Sequence, residues 1–158
     1  MNILITGASS GIGKACAELL AGQGNQVFAL ARRFSTGHER RIGNGLLHEV
    51  HCDVTSDALC AEAVEYMRSH AKTIDALVCC AGTGIAGAVE DTSVEELEAQ
   101  LRVNLYAVQR MLALVLPVMR DQRSGKIILI GSVAAVYAIP YQGMYSVSKF
   151  ALEGLCGA

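Results

Sequence analysis

Tyr145 and Lys149 are the two residues whose types and spacing most clearly suggest chemistry. They lie four residues apart in the run Tyr-Ser-Val-Ser-Lys, and residues i and i+4 of a helix lie on the same face. A fixed positive charge close to a phenol favours its ionised form, so the lysine would help the tyrosine to exchange a proton near neutral pH. The alternative is a tyrosine and a lysine on a solvated helix face, which is the commoner case for such a pair alone.

A glycine-rich turn near the N-terminus could hold a phosphate. It lies between a predicted strand at 2–6 and a predicted helix at about 11–23, and it contains Thr6, Gly7, Ala8, Ser9, Ser10, Gly11, Ile12 and Gly13. Glycines let backbone N–H groups approach a pyrophosphate at the positive end of a helix, and serines add hydroxyl donors. The spacing Gly-x-x-x-Gly-x-Gly departs from the Gly-x-Gly-x-x-Gly fingerprint, and a glycine turn can also serve tight packing alone. Its place between the first strand and the first helix favours nucleotide binding.

Two arginines end the second predicted strand, at 26–31. At this place in dinucleotide-binding folds an acidic residue binds the ribose 2′-OH of NAD, whereas an arginine accommodates the 2′-phosphate of NADP. Here Ala31 is followed by Arg32 and Arg33, so the sequence favours NADP. The alternative is an ordinary solvated basic turn.

The remaining sequence predicts further strands and helices in alternation. Strands are expected at 46–52, 76–80 and 126–132, and helices at 57–71, from the capping box at Ser93 to Met119, and around Tyr145. Residues 34–45 are polar and contain glycine, which predicts a loop with at most a weak helix. Alternation of this kind needs a parallel sheet covered on both faces. We therefore predict a single α/β domain over residues 1–158, a doubly wound parallel sheet (Rossmann fold) in three layers.

Several candidate residues follow the predicted strands. Asp53 and Val54 come after the third strand, and Ser132 ends the fifth. Ligands of open α/β sheets bind in the crevice just beyond such carboxyl ends. Asn104 lies inside the long predicted helix, where asparagine is a weak helix former, and taken alone it is more simply a solvated or capping amide.

Composition and charge argue against several other classes of protein. The chain is 52% hydrophobic with 16 glycines and 2 prolines, which is typical of a packed α/β protein, and its net charge of −2 would not attract nucleic acid or an anionic membrane. No uninterrupted apolar run reaches the roughly 18 residues of a membrane span, and the N-terminus lacks the basic region of a signal peptide. We therefore expect a cytoplasmic protein without nucleic-acid or membrane partners. The six cysteines and four histidines lack zinc-ligand spacing, so we expect no metal and mostly buried, reduced cysteines.

Taken in order, the motifs resemble those of the short-chain dehydrogenase/reductase family. The resemblance runs from residue 2 to residue 156 and rests on Gly7, Gly11, Gly13, Asn104, Ser132, Tyr145 and Lys149. The stretch 148–156 is especially similar to the branch that contains 17β-hydroxysteroid and retinol dehydrogenases.

The resemblance implies a role for each motif residue. Tyr145 would be the general acid/base, and Lys149 would favour its ionised form and hold the nicotinamide ribose. Ser132 would hydrogen-bond the substrate oxygen, and Asn104 would support a water-linked proton relay from a distorted helix. By the same resemblance, Asp53 and Val54 would contact the adenine, and Arg32 and Arg33 would bind the 2′-phosphate. The full set of implied cofactor-binding residues, besides Tyr145 and Lys149, is Gly7, Ser9, Ser10, Gly11, Ile12, Gly13, Arg32, Arg33, Asp53, Val54, Cys80, Ala81 and Gly82.

The sequence departs from the family pattern in two places. The family usually has Asn-Asn-Ala-Gly where this chain has Cys79-Cys80-Ala81-Gly82, and a thiol is too weak a hydrogen-bonding group to take over the sheet-stabilising role of the first asparagine. Family members also continue past the Tyr145 helix with two strands and a substrate lid, whereas this sequence ends at Ala158. We therefore expect an incomplete version of a longer enzyme, lacking the last family strands, with the fifth predicted strand at an edge of the sheet.

Two functions follow as hypotheses. The first is an NADP-dependent oxidoreductase that prefers NADPH over NADH and interconverts a ketone or aldehyde and an alcohol. The second is a nucleotide-binding or oligomerising module that has lost turnover with its missing lid. The resemblance further implies a homodimer or homotetramer that pairs through the helices carrying Asn104 and Tyr145.

Overall fold

A computed structural model of the protein describes residues 1–158 and shows six strands and five α-helices. The strands are β1 (Asn2–Thr6), β2 (Gln26–Ala31), β3 (His38–Ile42), β4 (Gly45–His51), β5 (Ala76–Cys79) and β6 (Lys126–Leu129). The helices are α1 (Gly11–Gly22), α2 (Asp57–His70), α3 (Val94–Leu101), α4 (Ala107–Asp121) and α5 (Gly143–Cys156). The predicted elements are confirmed within a few residues at their ends, apart from the two regions described below.

The sheet has the order β3-β4-β2-β1-β5-β6. All neighbours are parallel except β3 and β4, and Ile3 of β1 lies between Val27 of β2 and Ala76 of β5. The chain moves from β1 towards β4 and then returns to the other side of β1 at β5, so the topological switch point lies between β1 and β5. The carboxyl ends of these strands are where a doubly wound sheet forms its ligand crevice.

Two hydrophobic cores cover the two faces of the sheet. Alternate strand residues point to opposite faces of the sheet. Leu4 packs with Met67 of α2 and Met111 of α4 on one face, and Ile3 and Ile5 pack with Ala17 of α1 on the other. Leu152 of α5 belongs to the same core as α2 and α4. Helices therefore cover both faces, and the three-layer prediction is confirmed.

The segment predicted as a loop at 34–45 contains a strand, and that prediction was wrong. β3 pairs antiparallel with β4 through the two-residue turn Gly43–Asn44, where Gly43 has φ +56°. The strand carries few apolar residues because it is the edge of the sheet, where charged side chains are tolerated. Arg40 binds both Glu49 of β4 and Glu18 of α1. The sheet is thus mixed rather than wholly parallel.

The long helix predicted at 93–119 is continuous from Val94 to Asp121 but changes its winding in the middle. The capping box of Ser93 and Glu96 is present, and residues Arg102–Tyr106 form a π-helical turn between α3 and α4. Within these 28 residues a window of 18 has a mean hydropathy of 1.2, so the helix is long and apolar enough to cross a membrane although no uninterrupted apolar run occurs. Core helices of soluble proteins pass the same test, and Met111 and Val115 of this one are buried against the sheet.

Candidate functional site

The glycine turn packs directly against the loop that follows β5. Gly7 has φ +68°, and a Cβ on it would lie 2.7 Å from the backbone of Ala81. A Cβ on Gly13 would meet the carbonyl oxygen of Gly7 and would lie 3.1 Å from the Cβ of Cys80. Since Ser10, the N-cap of α1, makes no side-chain capping bond, the first N–H groups of α1 are not used by a side chain. A helix start of this kind binds anions.

A cavity of about 1010 Å³ opens at the carboxyl ends of β1, β2 and β4. We call it the larger cavity. Ligand pockets usually measure about 300–1,000 Å³, so it is large enough for an extended ligand. Its walls contain every predicted cofactor residue except Tyr145 and Lys149, namely Gly7, Ser9, Ser10, Gly11, Ile12, Gly13, Arg32, Arg33, Asp53, Val54, Cys80, Ala81 and Gly82.

The far end of the larger cavity is basic. Arg32 and Arg33 are exposed, and the guanidinium of Arg33 donates to the Oγ of Ser9 over 3.1 Å, which links the second strand to the glycine turn. Asp53 accepts from both the backbone N–H and the hydroxyl of Thr55, at 2.9 and 2.7 Å. These two bonds hold the pKa of the Asp53 carboxyl below its ordinary value. The cavity therefore offers two cations and one fixed carboxylate near the end of β2.

Tyr145 and Lys149 line a second cavity, of about 500 Å³, which we call the smaller cavity. The two cavities share Ile12, Cys80, Gly82 and Thr83, so one ligand could extend across both. Lys149 is only 6% exposed; its Nζ donates to the carbonyl of Ile130 at 2.8 Å and lies 5.8 Å from the centre of the Tyr145 ring. Both residues of the predicted pair therefore line one cavity, and the lysine is held in place by the backbone next to β6.

Asn104 lies in the π-helical turn and is 1% exposed, so a solvated amide is excluded. Its Oδ1 accepts from the N–H of Thr83 at 2.9 Å, and its Nδ2 donates to the carbonyl of Thr83 at 2.8 Å. The same Nδ2 donates to the Oγ of Ser148 at 3.0 Å, and Ser148 in turn donates to the carbonyl of Tyr145 at 2.7 Å. π-helical turns are rare and often occur at functional sites. Here the turn ties the loop after β5 to the helix that carries Tyr145.

Two of the four predicted catalytic residues do not line the smaller cavity. One is the enclosed Asn104, and the other is Ser132. It caps the short 3₁₀ helix Val133–Ala135, and its Oγ accepts from the N–H of Ala134 at 3.1 Å. Because a hydroxyl keeps its own proton when it accepts a bond, Ser132 still has a donor. Its neighbour Gly131 does line the cavity.

The two adjacent cysteines at the end of β5 belong to different sides of the sheet. Cys79 is buried in the core under α2 and α4, whereas Cys80 packs on the α1 side and lines both cavities. Burial raises the pKa of Cys79 to about 12 and that of Cys80 to about 11, so both are thiols at neutral pH. The loop is fixed instead by the Oγ of Thr6, which accepts from the N–H of Ala81 at 3.2 Å. All six cysteines are free, and three of them are buried.

The sequence did not single out several residues that build the smaller cavity. Thr83, Gly84, Ile85 and Ala86 form one wall, and Gln142 also lines the cavity. Ser148 was also missed, although its place three residues after Tyr145 is typical of a serine that bonds back to the preceding helical turn. No group of histidine, cysteine or acidic side chains could hold a metal ion.

The geometry of the larger cavity suits a dinucleotide. The positions of Gly7 and Gly13 exclude side chains from the start of α1, so a pyrophosphate could approach its N–H groups. Arg32 and Arg33 lie at the other end, near the strand end that faces the adenine ribose in dinucleotide folds. The residues present therefore fit NADP or a closely related nucleotide.

Comparison with known proteins gives one consistent family. The model of the short chain dehydrogenase family matches residues 1–158. The chain is 45% identical over 152 residues to 3-ketodihydrosphingosine reductase of Bacteroides thetaiotaomicron, covering 96% of this chain and 54% of the relative. It is 35% identical over 164 residues to human 17-beta-hydroxysteroid dehydrogenase type 1, covering 98% and 49%. The chain thus spans about half the length of these two relatives.

Solved structures agree with the family match. A metagenomic short-chain oxidoreductase in complex with NADP superposes with a TM-score of 0.88 at 30% identity, covering 98% of this chain and 72% of that one. A short-chain dehydrogenase from Streptomyces avermitilis gives a TM-score of 0.87 at 30% identity, covering 98% and 57%. The resemblance inferred from the sequence motifs, including that to 17β-hydroxysteroid dehydrogenase, is confirmed.

Proposed function

Since this chain belongs to the short-chain dehydrogenase family, we propose that it is an NADP(H)-dependent oxidoreductase that interconverts a ketone or aldehyde and an alcohol. The observation that carries the proposal is the junction of the two cavities. The larger cavity has the glycine turn and two arginines, and the smaller one has Tyr145 and Lys149. A nucleotide bound in the first would extend its reactive end into the second.

The binding roles follow from charge and donor geometry. The N–H groups at the start of α1 would bind the pyrophosphate, and Arg32 with Arg33 would bind the 2′-phosphate, because arginine donates to a phosphate in a planar, bidentate way. The NADP complex of the metagenomic relative supports this choice of cofactor. Lys149, held by the carbonyl of Ile130, would hold the nicotinamide ribose.

The smaller cavity provides the acid–base chemistry. NADPH, when bound, supplies the hydride, and negative charge then develops on the substrate oxygen. Tyr145 would donate its phenolic proton to that oxygen, and the ammonium of Lys149 would stabilise the phenolate that remains. Ser132 would donate a second hydrogen bond to the oxygen once substrate is bound, because its hydroxyl proton is free.

We also propose that the protein pairs through the long helix 94–121, which carries Asn104, and through α5. Tyr106 of the π-helical turn and Leu116 of α4 are 50% and 38% exposed along the long helix, and Val147 and Phe150 are 49% and 46% exposed on α5. Apolar side chains exposed on neighbouring helices favour a protein interface. These exposed side chains support the pairing that the resemblance of the sequence motifs implies.

Fluorescence titrations and a turnover assay test the proposal. The purified chain is titrated with NADPH and with NADH at matched salt, and NADPH oxidation is then followed with an alkyl ketone, an aryl ketone and 3-ketodihydrosphingosine. We expect tighter binding of NADPH than of NADH, and turnover of at least one ketone. Tyr145→Phe should reduce turnover by about 10²–10⁴-fold, as expected on loss of a general acid, with NADPH affinity unchanged. Binding without any turnover would instead support a nucleotide-binding module.

A further inference from the structure

The loop at 80–88 forms the wall of the smaller cavity that faces Tyr145. Its residues Thr83, Gly84, Ile85 and Ala86 line the cavity. A Cβ on Gly84 would lie 3.4 Å from Cδ2 of the Tyr145 ring, so the loop backbone is already in close range of the phenol. A shift of this loop by less than an ångström would change the space in which a substrate carbonyl meets the tyrosine.

Besides the bond between Ala81 and Thr6, three anchors hold the rest of this loop, which contains no helix. Asn104 binds both backbone groups of Thr83 at the near end, and the carbonyl of Tyr141 accepts from the N–H of Gly87 at 2.8 Å at the far end. Between them, the Oε1 of Gln100 accepts from the N–H of Ile85 at 2.8 Å. Gly84, the residue in close range of the Tyr145 ring, is therefore held on one side by Asn104 through Thr83 and on the other side by Gln100 through Ile85.

The surroundings of Gln100 show that this bond is its one polar contact. The residue lies at the end of α3, is 1% exposed, and its Nε2 has no hydrogen-bond partner among protein atoms. Burying an amide is unfavourable unless it is hydrogen-bonded, and methionine has a similar length without that penalty. The buried amide at position 100 is explained if its oxygen is needed to accept a hydrogen bond from the N–H of Ile85.

We propose that Gln100 is a positioning residue for the reaction at Tyr145. Through the N–H of Ile85 it fixes the wall opposite the phenol, and so it sets the face of a prochiral ketone that is presented for reduction. This inference rests on the proposed function, since it needs a carbonyl substrate in the smaller cavity. It concerns the orientation of the substrate and leaves the binding of NADPH in the larger cavity unchanged.

Three variants separate the acceptor from the bulk of the side chain. Gln100→Met removes the acceptor at similar length, and Gln100→Glu keeps an acceptor oxygen in the same place. Gln109→Met makes the same exchange at an exposed position further along the same continuous helix. Gln100→Ala replaces the methionine variant if that variant does not fold.

The first measurement is amide hydrogen exchange at Ile85 by NMR. We expect exchange to become about tenfold faster in Gln100→Met, the factor given by loss of one ordinary hydrogen bond. Gln100→Glu and Gln109→Met should retain the exchange rate of the wild type. An unchanged rate at Ile85 in Gln100→Met would overturn the proposal, whether or not the protein has activity.

The second measurement is the ratio of the two enantiomers of 1-phenylethanol formed from acetophenone and NADPH. This ratio does not depend on how much of the enzyme is folded, so a purely structural defect would leave it unchanged. We expect Gln100→Met to shift it by about threefold or more and to lower kcat/KM by about tenfold, with the affinity for NADPH retained, because misplacement of reacting groups affects the chemical step. Gln100→Glu should restore the wild-type ratio.

The outcomes distinguish the two proposals. A wild type that turns over with a ratio identical in Gln100→Met and Gln109→Met contradicts the positioning role and leaves the proposed function intact. A wild type that reduces no ketone contradicts the proposed function and, with it, the positioning role, while the exchange rate at Ile85 still shows whether Gln100 anchors the loop.

Discussion

Gly13→Ala tests whether the close packing of α1 against the glycine turn builds the cofactor cavity. A methyl group at this position would meet the carbonyl oxygen of Gly7 and would lie 2.8 Å from its carbonyl carbon. These are backbone atoms that cannot rotate away, so α1 must move from β1. The same movement would shift the N–H groups that line the larger cavity.

The magnitude follows from two opposing terms. Alanine is a better helix former than glycine by at most about 1 kcal/mol, whereas forcing a methyl group into a filled space costs about 3 kcal/mol. The difference predicts a net loss of about 2 kcal/mol in the free energy of unfolding. With a urea slope of about 2 kcal/mol per molar, the unfolding midpoint should fall by about 1 M.

Gly154→Ala is the matched control. This glycine lies within α5, and a Cβ on it would have no neighbour within 4 Å. The substitution should therefore raise the free energy of unfolding by about 0.5–1 kcal/mol, since alanine loses less conformational freedom on folding.

Urea unfolding followed by circular dichroism measures both variants, and NADPH fluorescence measures the cavity. We expect opposite changes in the midpoint and a loss of NADPH affinity of at least about tenfold in Gly13→Ala alone, equal to about 1.4 kcal/mol. A Gly13→Ala protein as stable as the wild type would refute the packing argument. A destabilised variant with unchanged NADPH affinity would separate the packing from the cofactor site.

Three further predictions concern charge, pH and assembly. Arg32→Ala should weaken the binding of NADPH by about tenfold, the effect of losing one charge-assisted hydrogen bond, and should hardly change the binding of NADH. Equal losses of affinity for the two cofactors in fluorescence titrations would show that Arg32 does not bind the 2′-phosphate. Burial lowers the pKa of His48, with His70 acting in the same direction and Glu39 opposing them. The folded state therefore binds a proton at His48 less readily than the unfolded state does, so protonation destabilises the folded protein. As the pH is lowered from about 7 to about 5, the urea midpoint of the wild type should fall more steeply than that of His48→Gln. Parallel plots of midpoint against pH for the two proteins would contradict this prediction. Phe150→Asp should dissociate a dimer that pairs through α5, and an unchanged mass in analytical ultracentrifugation would place the interface elsewhere.

The first βα unit could be predicted closely because its signals are local. An apolar run, a glycine turn and a helical pattern succeed one another within residues 2–23, and β1 and α1 end within a residue of the prediction. The clustering of the predicted cofactor residues followed from topology, since the carboxyl ends of parallel strands meet at one edge. Their individual roles remain predictions.

β3 was missed because hydrophobic periodicity detects burial rather than strand structure. The strand lies at the edge of the sheet and its residues are polar, so the apolar pattern is weak. The signal present in the sequence is the Gly43–Asn44 pair, since glycine at the first central position suits a tight hairpin turn. Turn chemistry is therefore the better guide to edge strands.

Gln100 and Ser148 were missed for a different reason. Gln100 acts on Ile85, 15 residues away, and Ser148 binds Asn104, 44 residues away. No local pattern marks a side chain whose partner is a loop N–H or a distant amide. The π-helical turn adds to the difficulty, because it changes which residues of the long helix share a face.

The pairing of β1 with β5 at the switch point has a consequence for the order of folding. Ile3 pairs with Ala76, so this contact closes a long segment of chain, whereas β3 and β4 are joined by a two-residue turn. Contacts between distant residues form more slowly, because the entropy of loop closure must be overcome before they contribute. We therefore expect the β3–β4 hairpin to form early and the β1–β5 crevice late. Pulse-labelled hydrogen exchange should show protection of Leu47 before protection of Leu77.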